Sequence, residues 1–301
     1  MLVKKIFVLF FLSLFFSSCS KKEEKISTSN SKFTIKDDLG IEVSFDAFPQ
    51  RIVSMAPNIT EGIYAIGADK NLVGVTEFCD YPPEAKQKTK IGGYDNVNFE
   101  MVASLKPDIT LLTVESTSRP NYQALQNLGI KLFVINAKNI DGVAAMLKNL
   151  GKITGREKEA DVLANNLIRQ RDSIKTVAQT NVKSRCLVII GTNPIMTASK
   201  TSFINELMEL SGLQNIYAES SVDYPTISYE DITVKSPSSI LLPYDTTKTD
   251  KLKIEEEELA KSLSSTEAIK KNNFIVVDNN VVFRPGPRVI DAVRIIRSKV
   301  K

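Results

Sequence analysis

Asn98-Phe-Glu-Met-Val-Ala-Ser-Leu-Lys-Pro-Asp-Ile-Thr-Leu-Leu112 and Ser228-Tyr-Glu-Asp-Ile-Thr-Val-Lys-Ser-Pro-Ser-Ser-Ile-Leu-Leu242 lie 130 residues apart and read as one pattern written twice. In each, a helix-capping residue precedes an aromatic and then a glutamate. A proline follows seven residues after the glutamate, and an apolar run closes the segment. Helix start, helix stop and strand therefore recur in one order. Glu100 and Glu230 occupy matching first-turn positions, where the helix dipole favours a carboxylate. For a lone glutamate the dipole would suffice as a reason. Two at equivalent places suggest a pair of exposed anions related by a pseudo-two-fold axis, suited to a partner that presents two cationic sockets.

The flanking sequence extends this pattern to two lobes. Arg51–Ser54, Leu72–Val75, Ile109–Leu112 and Lys131–Ile135 read as strands in the first half, and Cys186–Ile190, Ile240–Leu242 and Ile275–Val277 in the second. Helical signals fall between them, over Asn58–Gly67 with cap chemistry at its start, Glu100–Leu105 and Tyr122–Leu128. In the second half they cover Phe203–Ser211, Leu259–Asn272 and Val289–Val300. Such alternation predicts an α/β fold of two Rossmann-like lobes with mostly parallel sheets. Between the lobes, residues 156–180 place Ala160, Leu163, Leu167, Ile174 and Val177 on one stripe of a single long helix, a stiff spine more than a hinge.

Composition narrows the function. Lys and Arg exceed Asp and Glu by 39 − 35 = +4, too balanced and scattered to mark a nucleic-acid partner. The chain has no histidine, which removes the usual general base, the Ser-His and Cys-His nucleophile pairs and the commonest ligand of zinc or haem. With no Gly-x-Ser-x-Gly elbow either, a lipid-anchored hydrolase is disfavoured and no enzyme is expected. No Asp/Glu cluster suggests a metal site. With no tryptophan, any aromatic platform must come from Tyr and Phe.

Five of the fourteen phenylalanines lie in the first sixteen residues. Lys4 and Lys5 precede the apolar run Ile6–Phe16, which spans roughly 17 Å at 1.5 Å per residue, too short for the ~30 Å hydrocarbon core. The run reads as a secretory signal that ends at Ser17-Ser18-Cys19 and resembles a bacterial lipoprotein signal with Cys19 as the acylated residue. Phe16 stands where leucine is usual, and the alternative is a signal without lipid. The expected organisation is a signal peptide over residues 1–18, a tether over 19–32, lobes over 33–153 and 181–301, and a backbone helix over 154–180. Cys79 and Cys186 are expected as two buried thiols, one in each lobe.

Five segments share a resemblance: Asp38-Leu-Gly40, Pro49-Gln-Arg-Ile-Val-Ser-Met-Ala-Pro-Asn-Ile-Thr-Glu61, Asp80-Tyr-Pro-Pro-Glu84, Leu105-Lys-Pro-Asp108 and Arg284-Pro-Gly-Pro-Arg288. As an ordered set they resemble the helical-backbone binding proteins of ATP-binding-cassette importers, which take up cobalamin, ferric siderophores or haem outside the cytoplasmic membrane. The resemblance implies a monomer that docks onto the permease dimer of an importer with ATPase subunits. The docking glutamates of that family fall on Glu100 and Glu230.

For the ligand, the Asp80-Tyr-Pro-Pro-Glu84 segment looks most like the vitamin B12 binders. That likeness implies cobalamin flanked by Phe78, Tyr94 and Tyr224, with Arg284 from the second lobe. Thr113 and the two tyrosines stand where B12 binders often carry tryptophan. Tyr and Phe supply flat apolar area with a polar tip, and Arg supplies planar donors for amide carbonyls. The plain alternatives are loop packing for the aromatics, and helix capping or an Asp291 pair for Arg284 or Arg288. A ferric siderophore held by Arg119, Lys200 and Arg284 is the alternative ligand. Haem is disfavoured because only Tyr or Met could ligate its iron.

Overall fold

The computed structural model describes residues 32–116, 120–178 and 184–301. Cys19, the signal segment, the tether up to residue 31, Arg119 and Thr180 lie outside the described residues. Among the described residues no helix is long and apolar enough to cross a membrane.

A hairpin of β1 (Phe33–Lys36) and β2 (Glu42–Phe45) opens the first lobe. There follow β3 (Ile52–Ser54), α1 (Pro57–Ala65), β4 (Leu72–Val75), β5 (Thr89–Lys90), α2 (Phe99–Ser104), β6 (Ile109–Thr113), α3 (Pro120–Asn127), β7 (Leu132–Ile135) and α4 (Ile140–Thr154). The strands form a five-stranded parallel sheet in the order β5-β4-β3-β6-β7. Its interior strands read as continuous apolar runs because helices cover both faces.

The spine α5 (Glu157–Ala178) leads to the second lobe. That lobe contains β8 (Ser184–Val188), β9 (Gly191–Thr192), β10 (Ile195–Met196), α6 (Phe203–Leu210), β11 (Leu213–Asn215), α7 (Tyr229–Lys235) and β12 (Ser239–Tyr244). It closes with α8 (Thr249–Ser262), α9 (Glu267–Lys270), β13 (Phe274–Asp278), α10 (Asn279–Val282) and α11 (Val289–Lys299). A four-stranded parallel sheet runs β11-β8-β12-β13. The two-lobe α/β architecture read from the sequence is the one observed.

The spine packs on α4 from the first lobe and on α6 and α11 from the second. One apolar cluster runs through it, from Ile59, Leu147 and Leu150 across Ala160 and Leu167 to Leu207 and Val293. Each leucine, isoleucine or valine among them contributes roughly 1.5–3 kcal/mol on burial, so lobe separation would expose a shared core. The stripe differs from expectation at its end. Val177 is exposed, and Ala164 and Ala178 are buried, because a 3.6-residue repeat drifts off a fixed face over 22 residues.

Two local readings are corrected, and one helix is new. Asn58 does not cap α1: Ala56 holds the cap position without a side-chain bond, and Asn58 turns inward to donate to the Pro285 carbonyl at 3.3 Å. The helix expected over Leu259–Asn272 is two pieces, α8 and α9. The turn between them closes as Thr266 Oγ1 donates to the Leu263 carbonyl at 2.7 Å. Helix α4, capped by Asn139 and ended by Gly155 at φ +70°, was not among the sequence expectations.

At the α4–α5 contact, a Cβ built on Gly151 would lie 2.5 Å from the Ala160 Cβ. Gly151→Ala is expected to cost about 1–3 kcal/mol by forcing the helices apart, read as a lower denaturant midpoint. An unchanged midpoint would show that the contact yields freely.

Candidate functional site in the interlobe cleft

A cavity of about 510 Å³ lies between the lobes, with Tyr94 and Thr113 on one side and Phe203, Tyr224 and Phe283 on the other. Five aromatic residues among those described are exposed, and all gather along this seam. Tyr94, Tyr224 and Phe283 line the cavity. Phe78 stacks on Tyr94 with ring centroids 4.8 Å apart and planes 13° from parallel, and Tyr81 lies beneath the Arg288 guanidinium at 3.9 Å. Exposed aromatics that cluster in this way mark a binding surface.

Each wall is locally built. Tyr94 follows a turn at Gly92, whose φ is +90° and where a Cβ would lie 2.2 Å from the Asn96 carbonyl oxygen; only glycine fits. The buried Asn121 donates to the Tyr94 carbonyl at 2.8 Å. On the facing lobe, the Asp223 and Pro225 carbonyls accept from the Ser199 and Thr197 N–H groups at 2.8 and 3.0 Å, which pins the loop on both sides of Tyr224. Thr201 Oγ1 donates to Asp223 Oδ1 at 2.5 Å.

The charge on the described lining is acidic, with Glu115 and Asp223 against Lys138. Burial first, then the Asp223 and Glu115 carboxylates, pushes the Tyr224 phenol above its ordinary value. Among the described residues no three Cys, Asp or Glu side chains come together to hold a metal ion.

Away from the cleft, the repeated segments form matching devices. Asn98 caps α2 by accepting from the Met101 N–H at 2.9 Å, and Ser228 caps α7 by accepting from the Asp231 N–H at 3.2 Å. Both helices end in left-handed residues before proline, Lys106 at φ 44° and Ser236 at φ 40°. Arg51 Nε donates to the Leu105 carbonyl at 2.7 Å, and Arg185 Nη2 to the Lys235 carbonyl at 2.6 Å. The arginine carbonyls in turn accept from the Asp108 and Ser238 N–H groups, both at 2.8 Å. Glu100 and Glu230 sit exposed in the first turns of these two clasped helices.

Residues 52–281 match the periplasmic binding protein family. The chain belongs to that family. It is 30% identical over 201 residues to a vitamin B12-binding protein of Pectobacterium atrosepticum, covering 65% of this chain and 72% of the relative. An uncharacterised ABC transporter substrate-binding lipoprotein of Bacillus subtilis is 30% identical over 282 residues, 91% of this chain and 87% of that one. The periplasmic vitamin B12 binding protein BtuF of Vibrio cholerae superposes with a TM-score of 0.72 at 25% identity, covering 84% of this chain and 96% of that chain. A periplasmic heme binding protein from Pseudomonas aeruginosa has a TM-score of 0.73 at 23% identity over 83% of this chain and 92% of that one, a likeness of fold alone. These relatives are solute-binding proteins.

In this periplasmic binding protein, Tyr94 and Tyr224 meet across one cavity and Phe78 supports Tyr94 from behind. Arg284 does not line the cavity. It lies at the seam, where Nη1 donates to Asp80 Oδ1 at 2.6 Å and to Glu61 Oε1 at 3.3 Å. Its Nη2 donates to Asn280 Oδ1 at 2.7 Å and to the Phe78 carbonyl at 3.2 Å. Burial would raise the Asp80 carboxyl, but the Arg284 hydrogen bond and charge outweigh it and hold the carboxyl below its ordinary value. Arg288 pairs with Glu61 and not with Asp291, whose carboxylate takes Arg294 at 3.2 Å. Lys200 pairs with Glu219 at 3.1 Å.

Cys79 and Cys186 are free and buried, and burial pushes the Cys186 thiol up to about 11. The sequence reading missed Phe283, Asp223 and Glu61. Phe283 and Asp223 adjoin residues it named. Glu61 carried one signal: a carboxylate at the fifth position of α1, between the core residues Ile59 and Ile63, calls for a cation if it is buried.

Proposed function

We propose that the chain captures a corrinoid (vitamin B12 or a close relative) in the interlobe cleft and delivers it to the permease of an ATP-binding-cassette importer. The reading makes it an exported binding protein, anchored by lipid on Cys19, that binds its ligand and returns it unchanged. What carries it is the pair of aromatics facing one cavity from opposite lobes, Tyr94 with Phe78 behind it and Tyr224. A macrocycle with an apolar face and an amide fringe suits such walls, which supply flat area and polar tips together. Binding by relatives named for vitamin B12 supports the same choice.

The acidic lining weighs against the other ligands. A ferric catecholate carries negative charge, and the described lining offers Lys138 against two carboxylates. Lys200 and Arg284 are committed elsewhere. Haem iron would need a phenolate from a chain without histidine, and burial with the Asp223 and Glu115 carboxylates raises the Tyr224 phenol above its ordinary value.

Release follows docking. Glu100 and Glu230 present two carboxylates on helices clasped to interior strands, and a two-fold permease offers two cationic sockets to them. Work done by ATP hydrolysis on the partner then distorts the cleft.

The test is competition. Cyanocobalamin, haemin and a ferric catecholate, offered together at equal micromolar concentration, are expected to leave cobalamin on the protein. Retention of haemin or of the ferric complex in its place would overturn the reading.

A further inference from the structure

Two sequence motifs, Asn58-Ile-Thr-Glu61 and Arg284-Pro-Gly-Pro-Arg288, have no part in the cavity lining beyond Asn58 and Pro285, yet they meet across the lobe seam. The Glu61 side chain is 2% exposed on the inner face of α1. Its carboxylate accepts a fork from Arg288, Nε at 2.9 Å and Nη2 at 2.6 Å, and a third bond from Arg284. Both arginines come from the second lobe, and Glu61 and Asp80 from the first. Two guanidiniums meet two carboxylates, so the cluster is neutral and tolerates burial as a unit.

Arg284 does more than neutralise. Its two terminal nitrogens make four hydrogen bonds, two to carboxylates, one to Asn280 on its own lobe and one to the Phe78 carbonyl. Phe78 is half exposed and lies in a loop, and its ring is the backing of Tyr94. The hydrogen bond from Arg284 therefore ties the second lobe's side of the ion cluster directly to the aromatic wall.

We propose that Arg284 is a positioning residue: anchored across the seam by Glu61 and Asp80, it sets the Phe78–Tyr94 wall at the angle and depth that the ligand meets. The inference rests on the cleft being the corrinoid site. It differs from direct ligand contact, because the guanidinium lies outside the lining and its two terminal nitrogens donate to protein acceptors.

Lysine at this position keeps the charge but projects its three donors from one point, and cannot bridge Glu61, Asp80, Asn280 and the Phe78 carbonyl together. Arg284→Lys in the full chain is expected to lower cyanocobalamin affinity about tenfold, the scale of one lost charge-assisted hydrogen bond. It is also expected to weaken the near-ultraviolet circular dichroism of the tyrosines, a band free of tryptophan in this chain, while the far-ultraviolet spectrum is unchanged.

The deciding measurement is the double-mutant cycle with Tyr94→Ala. If Arg284 acts through the wall, Arg284→Lys costs less than about twofold once Tyr94 is gone. Additive losses would mean that Arg284 touches the ligand itself and would overturn the proposal, as would unchanged affinity in the single variant. Asp80→Asn, at the more exposed end of the cluster, serves the same cycle if Arg284→Lys does not fold. Should the wild-type protein bind no corrinoid, the functional reading fails on its own. The near-ultraviolet comparison of unliganded proteins then decides the positioning claim, and an unchanged tyrosine band would overturn it.

Discussion

Replacing Tyr94 and Tyr224 together by alanine is expected to lower corrinoid affinity by more than about a hundredfold. Each ring contributes an apolar face to the cavity, and a stacked aromatic in a binding cleft is worth on the order of 1.5–2 kcal/mol. Two such losses sum to about 3–4 kcal/mol, which converts to between a hundred- and a thousandfold. The fold should hardly notice. Tyr94 is 36% exposed and Tyr224 46% exposed, so neither is a core residue. Calorimetric titration of the double variant beside the wild type, with thermal melts as a control, reads both quantities. Unaltered affinity would remove the two tyrosines from the site.

Reversing both first-turn charges, Glu100→Arg with Glu230→Arg, is expected to do the opposite: uptake into cells that depend on this protein falls to background while ligand affinity stays within about twofold. Both side chains are exposed on short helices; the Asn98 cap keeps its bond to the Met101 N–H, and Ser228 loses the Glu230 carboxylate as a partner while still accepting from the Asp231 N–H. A cation in the first turn costs only about 0.3–1 kcal/mol against the helix dipole. Toward two cationic sockets, each reversal turns an attraction into a repulsion, and one reversal alone should give an intermediate loss. Labelled-cobalamin uptake and a titration of the same variant separate the two effects. Loss of binding in this variant would place the glutamates in the service of the pocket or the fold.

The parts of this molecule legible in the sequence are those with local causes. The repeat around Glu100 and Glu230 was visible because caps, prolines and apolar runs act within a few residues of one another. The structure shows the same order in α2–β6 and α7–β12. Tyr94 and Tyr224 were reached through resemblance and not from spacing. The facing arrangement depends on Gly92 and on a loop pinned by Thr197 and Ser199, which no periodicity signals.

Helix α4 stayed hidden because Gly142 and Gly151 interrupt its pattern. Gly151 is there because α5 comes too close for a side chain, a fact of tertiary packing. The partner of Arg284 was out of reach for the same reason. Glu61 lies 223 residues away in the other lobe, and a buried ion pair leaves no mark on the sequence between its members. Arg284 was therefore read as a donor to the ligand, whereas its two terminal nitrogens donate to the protein.

The most direct test of the central claim is a calorimetric titration of the wild-type chain with cyanocobalamin. A saturable one-to-one binding heat at micromolar affinity or tighter, lost in the Tyr94→Ala/Tyr224→Ala variant, is the predicted result. No binding heat with cobalamin, together with saturation by a ferric siderophore, would contradict it.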